Sequence, residues 1–566
     1  MKTVTGIPSV SVLICLSTVL FCGLNLIAAE AESTPKFPPV QPEAMKNWQD
    51  KRFGMFIHWG PVSLTAKEIG WSRGAETPIE VYDNLYRQFN PTNFNADEWV
   101  SVARAGGMKY IVLTTKHHDG FCLWDTKLTD FNIMNSPFKR DVVKELAAAC
   151  RKQGIAFGTY YSTCDWHHPD FPLTSPGGKV KRSKYDLDSY NRYLLGQVSE
   201  LITNYGPLIT MWNDVPQMFE GRGVKTIKLV RQLQPDITVN NRTGDGGDYD
   251  TPEQHIGSFN MERPWESCMT ISAHNAWAWG GPKDGVKTLA ACLDMLIRGA
   301  GGNGNVLLNV GPRPDGMIDP EQAARVKEIG DWLAKYGESI YATRGGPWKP
   351  TKNLASTRKG NTIYLHVLRW TGDALTLPNL SRKIVRSTLM TGGEASVRQT
   401  ADGVVVVVPP QHRQPIDTIV KLDLDGAAMD IAPLSLAVTR SGLKATASNV
   451  HQKQDEYSAD KAFDGDFDTR WATDSGTRKA WLEVDLGKPT TINKVAIDEW
   501  EGGGKRVQAF ELQYQSGTEW KTFYKGTTLG AQWQKAVEPI KAQRVRLNIL
   551  DATEGPTINE FEIGGK

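Results

Sequence analysis

From about residue 36 to about residue 345, the chain alternates short apolar runs with longer amphipathic segments. The longer segments, such as DVVKELAAACRKQG and YNRYLLGQVSELITNYG, repeat apolar residues every three or four positions, and this spacing predicts helices. The short apolar runs predict strands. The six clearest of them are RFGMFIHWG, KYIVLTTKHHDG, IAFGTYYSTCDW, LITMWNDV, ITVNNRT and NVLLNVGP.

Strands that alternate with helices predict an α/β fold with a parallel sheet. Residues 36–345 supply enough of these units to close a barrel. An open doubly wound sheet is less favoured because no glycine-rich phosphate loop follows the first strand. We therefore predict a (β/α) barrel over residues 36–345.

The pattern changes after this region to short alternating runs separated by Gly and Pro. Residues 346–435 contain NTIYLHVLRW, GVVVVVPP and DTIVKLDLDG, which predict a small antiparallel β-sandwich. Residues 440–566 contain WLEVDLG, INKVAIDEW, QAFELQYQ and RVRLNIL, which predict a second β-sandwich. The chain should therefore fold as three domains.

The first 31 residues have the features of a secretory signal peptide. Lys2 precedes an apolar run over residues 10–29, and Ala29-Glu30-Ala31 has the small-x-small form of a cleavage site. The alternative is a membrane anchor, since the run approaches the length that spans a bilayer. We expect cleavage, no membrane span in the mature protein, and export to the periplasm, the cell surface or the medium.

Composition excludes several classes of protein. The 65 basic and 63 acidic residues leave a net charge of +2, so no nucleic acid partner is expected. The cysteines that follow the signal peptide are scattered and form no CxxC pair, so neither a disulfide framework nor a zinc site is indicated. These cysteines are Cys122, Cys150, Cys164, Cys268 and Cys292.

Polar and aromatic residues gather where the predicted strands end. The carboxyl ends of barrel strands form the rim that carries active sites. Alternation along LITMWNDV puts Trp212 and Asp214 on one face, although Asp214 is also a favourable helix N-cap. His117 and His118 suggest a metal site, but adjacent strand residues face opposite ways. Hydrogen bonding to hydroxyl groups is therefore the expected role of these histidines.

Two further carboxylates lie near the predicted rim. Glu253 follows Thr251-Pro252, a context that is also typical of the first turn of a helix. Glu266, in RPWESCMTIS, competes with it for the same role. A pair of carboxylates in an aromatic cleft that binds hydroxyl groups is what glycoside hydrolysis requires.

Several motifs between residues 40 and 345 resemble the α-L-fucosidases of glycoside hydrolase family 29: RFGMFIHWG, TTKHHDGFCLWDT, YGPLITMWND, GGNGNVLLNVGPRPDGMI and IGDWLAKYGESIYAT. The resemblance implies a retaining mechanism with Asp214 as nucleophile, and Glu253 or, as its rival, Glu266 as acid/base. It also implies a set of residues that bind substrate: His58, His117, His118, Tyr161, Trp212 and Arg242 around the fucose hydroxyls and the nucleophile, with Trp71 and Trp279 beside the C6 methyl. Gly70 departs from the pattern, because many relatives have a Glu before this Trp.

The segment from residue 440 to residue 566 resembles the discoidin-like fold of coagulation factor type C domains and family 32 carbohydrate-binding modules. The resemblance rests on SADKAFDGDFDTRWATD, KAWLEVDLGKPTTINKVAI and TINEFEIG. It implies a structural calcium ion held by oxygen ligands, with Asp464, Thr469 and Glu560 as the predicted ligands. The alternative is a plain Asp-Gly turn without an ion.

Together these features predict a secreted, retaining exo-α-L-fucosidase that acts on fucosylated oligosaccharides or glycoconjugates without a catalytic cofactor. Its two carboxyl groups should lie about 5 to 5.5 Å apart. One alternative is a non-catalytic protein that binds fucose or glycans. The other is a hydrolase of the same mechanism for a related sugar such as galactose. The sequence does not specify an oligomeric state.

Overall fold

The structure is a computed structural model. It describes residues 37–176, 181–215, 222–370, 372–401, 403–434, 443–464, 469–500, 504–530 and 533–564. The predicted signal peptide, residues 1–31, lies outside the described residues. Within the described residues, no helix combines the length and the apolar character needed to cross a membrane.

Seven parallel strands form the first sheet. They are β1 (Phe53–Ile57), β2 (Tyr110–Lys116), β3 (Ala156–Ser162), β4 (Thr210–Asp214), β5 (Thr238–Val239), β6 (Glu266–Thr270) and β7 (Asn305–Val310). Their order in the sheet is β5-β4-β3-β2-β1-β7-β6. Six of the seven coincide with the strands predicted from apolar runs, and β6 is the one that was not predicted.

Residues 249–253 close this sheet into a ring. Parallel bridges join Asn240 to Tyr249 beside β5, and Glu253 to Cys268 within β6. Backbone hydrogen bonds follow the same path, with Cys268 N donating to Pro252 O at 3.0 Å. Since every other neighbouring pair is joined by a parallel ladder, eight segments surround one axis. The predicted (β/α) barrel is confirmed.

Helices connect the strands and cover the outside of the ring. They are α1 (Pro42–Lys51), α2 (Ile79–Tyr82), α3 (Ala96–Ala105), α4 (Val142–Gln153), α5 (Leu187–Tyr205), α6 (Gly223–Leu233), α7 (Leu289–Gly301) and α8 (Pro320–Tyr336). Asn95, Asp141 and Asp186 cap the amino ends of α3, α4 and α5 with side-chain oxygens. These caps satisfy backbone N–H groups that a helix end leaves unpaired.

The barrel strands bury residues on both faces. Outward side chains such as Ile111 and Leu113 pack with the helices in the largest apolar cluster. Inward side chains fill the interior, where Phe56, Tyr160 and Trp212 belong to a separate aromatic cluster. Alternation along each strand therefore decides which residues can reach the axis of the barrel.

The second domain consists of two antiparallel sheets around its own apolar core. Its strands are β8 (Arg344–Gly345), β9 (Leu354–Lys359), β10 (Thr362–Val367), β11 (Leu375–Leu377), β12 (Ile384–Leu389), β13 (Ser396–Thr400), β14 (Gly403–Val407) and β15 (Thr418–Leu424). The sheet orders are β12-β15-β10-β9-β8 and β11-β14-β13. This arrangement agrees with the predicted small β-sandwich.

The third domain is also antiparallel and has a separate core. Its strands are β16 (Lys444–Ala447), β17 (Trp471–Ala472), β18 (Ala480–Glu499), β19 (Val507–Ser516), β20 (Glu519–Gly526), β21 (Trp533–Ala552) and β22 (Thr557–Gly564). The order is β17-β22-β18-β21-β19-β20, with β16 beside β18. The predicted strands WLEVDLG and INKVAIDEW are two halves of β18, whose register shifts between Asp485 and Thr490.

Candidate active site

A cavity of about 340 Å³ opens at the carboxyl ends of the barrel strands. Eight of the eleven residues predicted for the catalytic site line it. Its lining consists of Phe56, His58, Trp71, His117, His118, Tyr160, Trp212, Asp214, Val215, Arg242, Glu253, Cys268 and Trp277. The strand ends therefore bring together residues that are up to 221 positions apart in the chain.

A larger cavity, of about 570 Å³, lies at the amino ends of β3 and β4. Charged side chains there include Glu43, Lys51 and Arg151, but the cavity contains no predicted site residue. Barrel enzymes carry their chemistry at the carboxyl ends of the strands. The smaller cavity is therefore the candidate active site.

Asp214 ends β4 inside this cavity and has partners for both oxygens. The Tyr160 hydroxyl donates to Oδ2 at 2.7 Å, while Arg242 Nη1 and the Val215 N–H each donate to Oδ1 at 2.9 Å. Asp214 does not cap α6, which begins at Gly223. Trp212 also lines the cavity, so the alternation predicted for this strand is confirmed.

The surroundings of Asp214 favour its ionised form. Burial raises the pKa of this carboxyl group, but the contributions that lower it are larger in sum. They come from His118 when its ring is protonated, and from the Arg242 guanidinium and the Tyr160 hydroxyl at any pH. The pKa of Asp214 is therefore below its ordinary value. A carboxylate that stays charged in a largely buried position is suited to act as a nucleophile.

Arg242 connects the two carboxylates of the cavity. Its Nη1 lies 2.9 Å from Asp214 Oδ1, and its Nη2 lies 2.8 Å from Glu253 Oε2. The guanidinium also stacks on the Trp212 ring, 4.8 Å from the centroid, and Nε donates to Thr251 Oγ1 at 2.9 Å. Glu253 is 40% exposed and stands at the mouth, whereas Asp214 is 14% exposed.

Glu266, the predicted rival of Glu253, does not line the cavity. It is the first residue of β6 and lies fully buried in the barrel interior. The Tyr110 hydroxyl and Trp212 Nε1 both donate to its carboxylate, and burial raises its pKa to about 7. Glu253 instead pairs with Cys268, two residues further toward the rim. Of the two rivals, only Glu253 lines the cavity.

Two histidines present unprotonated nitrogens to the cavity. Asn309 Nδ2 donates to the Trp277 carbonyl, so Asn309 Oδ1 accepts from His58 Nδ1 at 2.7 Å. The single proton of Ser162 goes to the Cys164 carbonyl, so Ser162 Oγ accepts from His118 Nδ1 at 2.7 Å. With Nδ1 protonated in each ring, Nε2 carries a lone pair.

Both rings are neutral near pH 7. Burial lowers the pKa of His58 to about 3 and that of His118 to about 4. Each Nε2 is therefore a hydrogen-bond acceptor, and a ligand with several hydroxyl donors matches them.

His117 and His118 lie together in the cavity, contrary to the argument that they face opposite ways. β2 ends at Lys116, so strand alternation does not extend to them. Their ring centroids are 4.0 Å apart. His117 Nδ1 packs against Gly70, where an added Cβ would lie 2.7 Å from it and where φ is +67°. A Glu at position 70 would collide with this ring, which gives a physical reason for the glycine.

Two more predicted residues lie outside the cavity. Tyr161 faces the helices, where it donates to Gln197 Oε1 at 2.8 Å and accepts from Lys116 Nζ at 3.0 Å. Its neighbour Tyr160 faces the cavity because adjacent residues of β3 alternate. Trp279 Nε1 donates to Asp319 at 3.1 Å, and Trp277 forms the aromatic wall instead.

Sequence reasoning missed five lining residues. Tyr160 pairs in register with Trp212 across β3 and β4. Because Trp212 was predicted to face the barrel axis, its partner Tyr160 could have been predicted to face the same way. Phe56 shares a face with His58, two residues later, which is the same signal. The list is completed by Val215, Cys268 and Trp277.

The predicted calcium ligands lie in the third domain. Thr469 Oγ1 is 2.9 Å from both carboxylate oxygens of Asp464 and 3.2 Å from the Lys461 carbonyl. Residues 465–468, between them, lie outside the described residues. Glu560 is buried on β22 and pairs with Asp498 of β18. The donor atoms are all oxygens, and such a set fits calcium.

Comparison with known proteins identifies relatives of two regions. The α-L-fucosidase family model matches residues 21–338, and the F5/8 type C domain model matches residues 444–563. Tissue α-L-fucosidase of Homo sapiens is 30% identical over 406 residues, which cover 63% of this chain and 82% of that protein.

Two solved structures are similar as well. α-L-Fucosidase isoenzyme 1 from Paenibacillus thiaminolyticus has a TM-score of 0.63 and 32% identity, covering 68% of this chain and 99% of that one. A GH29 α-L-fucosidase from Bacteroides thetaiotaomicron, trapped as a covalent intermediate with 2-fluoro-fucosyl fluoride, has a TM-score of 0.61 and 27% identity. It covers 69% of this chain and 97% of that one.

Proposed function

The chain belongs to the α-L-fucosidase family, glycoside hydrolase family 29, and we propose that it releases terminal fucose from glycans by double displacement with retention. One observation carries this proposal: Arg242 contacts Asp214 and Glu253 at once, within a single cavity. Two carboxyl groups on one guanidinium are close neighbours, as retaining glycosidases require. The covalent intermediate trapped in the Bacteroides thetaiotaomicron enzyme supports the same mechanism.

Asp214 is the proposed nucleophile. Its ionised carboxylate attacks the anomeric carbon of fucose, and the bond to the departing oxygen breaks. Arg242 and Tyr160 hold the two oxygens of this carboxylate before the reaction, so little rearrangement is needed to reach the transition state.

Glu253 is the proposed acid/base. It first gives a proton to the departing oxygen and then takes one from the water that cleaves the ester. Its position at the mouth lets it meet both the leaving group and incoming water. Once the ester forms, Asp214 has lost its charge, and Arg242 faces the carboxylate of Glu253 alone.

The walls of the cavity fit a single deoxyhexose. His58 and His118 offer acceptors to sugar hydroxyl groups, while Phe56, Trp212 and Trp277 supply apolar surface for a methyl group. The aromatic cluster of the barrel interior closes the cavity from below. A cavity of this size that ends against the barrel interior favours removal of terminal residues, hence exo action.

The assignment of Asp214 is tested with Asp214→Gly and an aryl α-L-fucoside. We expect hydrolysis to fall at least about 1,000-fold. Azide should restore part of the rate and yield a fucosyl azide of inverted configuration, since azide attacks where the carboxylate was removed. Hydrolysis at the wild-type rate in this variant would reject the proposal.

Glu253→Ala and Glu266→Gln separate the two acid/base rivals. Glu253→Ala should lose activity on substrates with poor leaving groups, keep it on those that need no protonation, and give a fucosyl azide of retained configuration with azide. In Glu266→Gln, the hydrolysis rate should depend on the leaving group as it does in the wild type. The reverse pattern would reassign the role to Glu266.

Two further proposals concern the ends of the chain. Residues 1–31 act as a signal peptide, which N-terminal sequencing of the exported protein would test.

Asp464, Thr469 and Glu560 hold a calcium ion that stabilises the third domain. Addition of a chelator should lower the melting temperature of that domain alone, and no change would count against the ion.

A further inference from the structure

We propose that His117, His118 and Asp214 also form a binding site for a divalent transition-metal ion such as Zn²⁺, and that the bound ion blocks the cavity. One nitrogen of each histidine and one oxygen of Asp214 all lie within 4.8 Å of one another. Within the described part of the chain, no other group of three such side chains comes this close. The proposal goes beyond fucose hydrolysis, because it concerns a second kind of ligand.

The distances are close to those of a real site. Two atoms that each lie about 2.1 Å from a zinc ion are at most about 4.2 Å apart. His118 Nε2 and Asp214 Oδ2 already satisfy this limit at 3.6 Å. In a tetrahedral site the donor atoms lie about 3.4 Å apart, so a separation of up to 4.8 Å has to close by as much as about 1.4 Å. Rotation of the His117 side chain about its χ angles can supply this shift.

The arrangement of protons leaves a place for a cation. His118 Nδ1 is protonated, because Ser162 Oγ accepts from it while donating to the Cys164 carbonyl. His118 Nε2 therefore points a lone pair at the Asp214 carboxylate across 3.6 Å with no proton between them. Two facing acceptors repel each other unless a hydroxyl donor or a metal ion lies between them.

Ser162 also supports the geometry of a metal ligand. A ligating histidine commonly donates its other N–H to an oxygen that fixes the tautomer and the orientation of the ring. Ser162 does this for His118, and the side chain of Ser162 is buried. The ring is thus already oriented as a ligand before any ion arrives.

The set of donor atoms decides which ions fit. Two imidazole nitrogens and one carboxylate oxygen suit zinc, copper or nickel, whereas calcium and magnesium prefer oxygen alone. Arg242 contacts Asp214 through Oδ1. Oδ2 accepts from the Tyr160 hydroxyl at 2.7 Å and keeps a second lone pair, which is the one available to an ion. The positive charge of Arg242 weakens binding, and the ion should therefore exchange readily.

Metal binding and sugar binding should exclude each other. An ion on Asp214 Oδ2 occupies the space in front of the proposed nucleophile and uses lone pairs that sugar hydroxyls would otherwise engage. Zinc should then inhibit competitively, raising the apparent KM without changing kcat.

Calorimetric titration of the chelator-treated full chain with Zn²⁺ tests the site directly. We expect one ion per chain, and at least about 10-fold weaker binding in His117→Asn, His118→Asn and Ser162→Ala. His274→Asn is the matched control, because His274 is 75% exposed and lies beside Asp284, outside the cavity. Circular dichroism establishes that each variant is folded.

Two readouts keep this test independent of fucosidase activity. Co²⁺ in place of Zn²⁺ should show the visible absorption of a tetrahedral site in the wild type, and lose it in His118→Asn. Saturating L-fucose should weaken Zn²⁺ binding if both inferences hold. If fucose does not bind, the titrations of the variants still decide the metal site.

Equal Zn²⁺ affinity in the wild type, His117→Asn and His118→Asn overturns the proposal. So does a loss of affinity in His274→Asn alone, since the ion would then be bound at the surface. Inhibition that lowers kcat and leaves KM unchanged also overturns it.

Discussion

Tyr160 and Tyr161 are neighbours in the chain but have separate tasks. Tyr160 donates to Asp214 Oδ2 at 2.7 Å inside the cavity. Tyr161 lies on the opposite face of β3, where its hydroxyl bonds Gln197 and Lys116. Both side chains are buried tyrosines, so replacing each in turn with Phe removes the same group from the same environment. The two variants therefore separate an effect on catalysis from an effect on stability.

We predict that Tyr160→Phe lowers kcat/KM about 10- to 100-fold, since a hydrogen bond to a charged group contributes about 1.5–3 kcal/mol. Tyr161→Phe should change kcat/KM less than about three-fold, but destabilise the barrel by about 1–3 kcal/mol because Gln197 Oε1 loses its partner. Steady-state kinetics and thermal melts of both variants check this. The prediction fails if Tyr161→Phe is the more damaging change to catalysis.

Glu266 is a residue whose titration affects stability. Burial raises the pKa of its carboxyl group from 4.5 to about 7, while Tyr110 and Trp212 donate to it. Between these two values the folded chain keeps a proton that the unfolded chain releases. Stability therefore falls as pH rises through this window, by about 3 kcal/mol in all.

Glu266→Gln should remove this dependence. The variant cannot ionise, so its barrel should be relatively more stable than the wild type at pH 8, with the difference shrinking toward pH 4.5. Calorimetric melts across this range measure the trend. A pH dependence identical in both proteins would show that folding does not raise the pKa of Glu266.

At the level of elements, the cavity depends on a loop held from two sides. Glu68 accepts from the backbone N–H groups of Trp277, at 2.9 Å, and Ala278, at 3.2 Å. Asn309, at the end of β7, donates to the Trp277 carbonyl at 2.7 Å. The aromatic wall is thus fixed by a carboxylate from one loop and an amide from one strand.

Glu68→Ala should free this loop and raise KM several-fold, with a smaller change in kcat, because Trp277 contributes binding surface and is remote from the proton transfers. Glu76→Ala is the control, since Glu76 lies nearby, is 60% exposed and pairs only loosely with Lys67 at 3.6 Å. A fall in kcat with unchanged KM would contradict this role for Glu68.

Predictions from the sequence succeeded where strands are long and apolar. Six barrel strands and the helices α4 and α5 follow from periodicity alone. The sequence does not predict β6, because ESCMT contains no extended apolar run. It does not predict a strand over residues 249–253 either, because they are polar and contain Pro252. Burial by neighbouring strands, which a single sequence does not reveal, makes these segments part of the ring.

The errors at single residues have related causes. Tyr161 came from the family resemblance, and two adjacent tyrosines leave the phase of β3 open, so the sequence alone does not show that Tyr160 is the one that faces the cavity. His117 and His118 were assigned to a strand that ends one residue earlier. Trp277 and Trp279 have the same spacing as alternating strand residues, but they lie in a loop, where hydrogen bonds to Glu68 and Asp319 decide their positions.

Across the whole molecule, the three domains have separate apolar cores. Lys352 of the second domain forms ion pairs with Asp498 and Glu562 of the third, at 3.4 and 3.9 Å. Among the residues that the structure describes, those that line the cavity all lie between Phe56 and Trp277. We therefore expect catalysis on a small substrate not to depend on the third domain.

A chain that ends at Leu434 should keep kcat/KM for a small aryl α-L-fucoside within about two-fold of the full-length value. It should also lose one calorimetric transition, because an independent core has been removed. A large drop in kcat with the barrel still folded would mean that the third domain shapes the cavity.

Residues 249–253 join the ring through single bridges, and Glu253 is carried by this segment. Asp214 sits in a regular ladder, which fixes its direction. An insertion or deletion in the loops on either side of this segment would thus shift Glu253 along the rim, while the ladders of the other seven strands stay in register. Of the proposed catalytic pair, Asp214 is held by the regular ladder of β4, whereas Glu253 is held by a segment whose position can change more readily during evolution. Enzymes descended from such a barrel should retain the residues that bind the sugar, and should differ in the residue that protonates the leaving group.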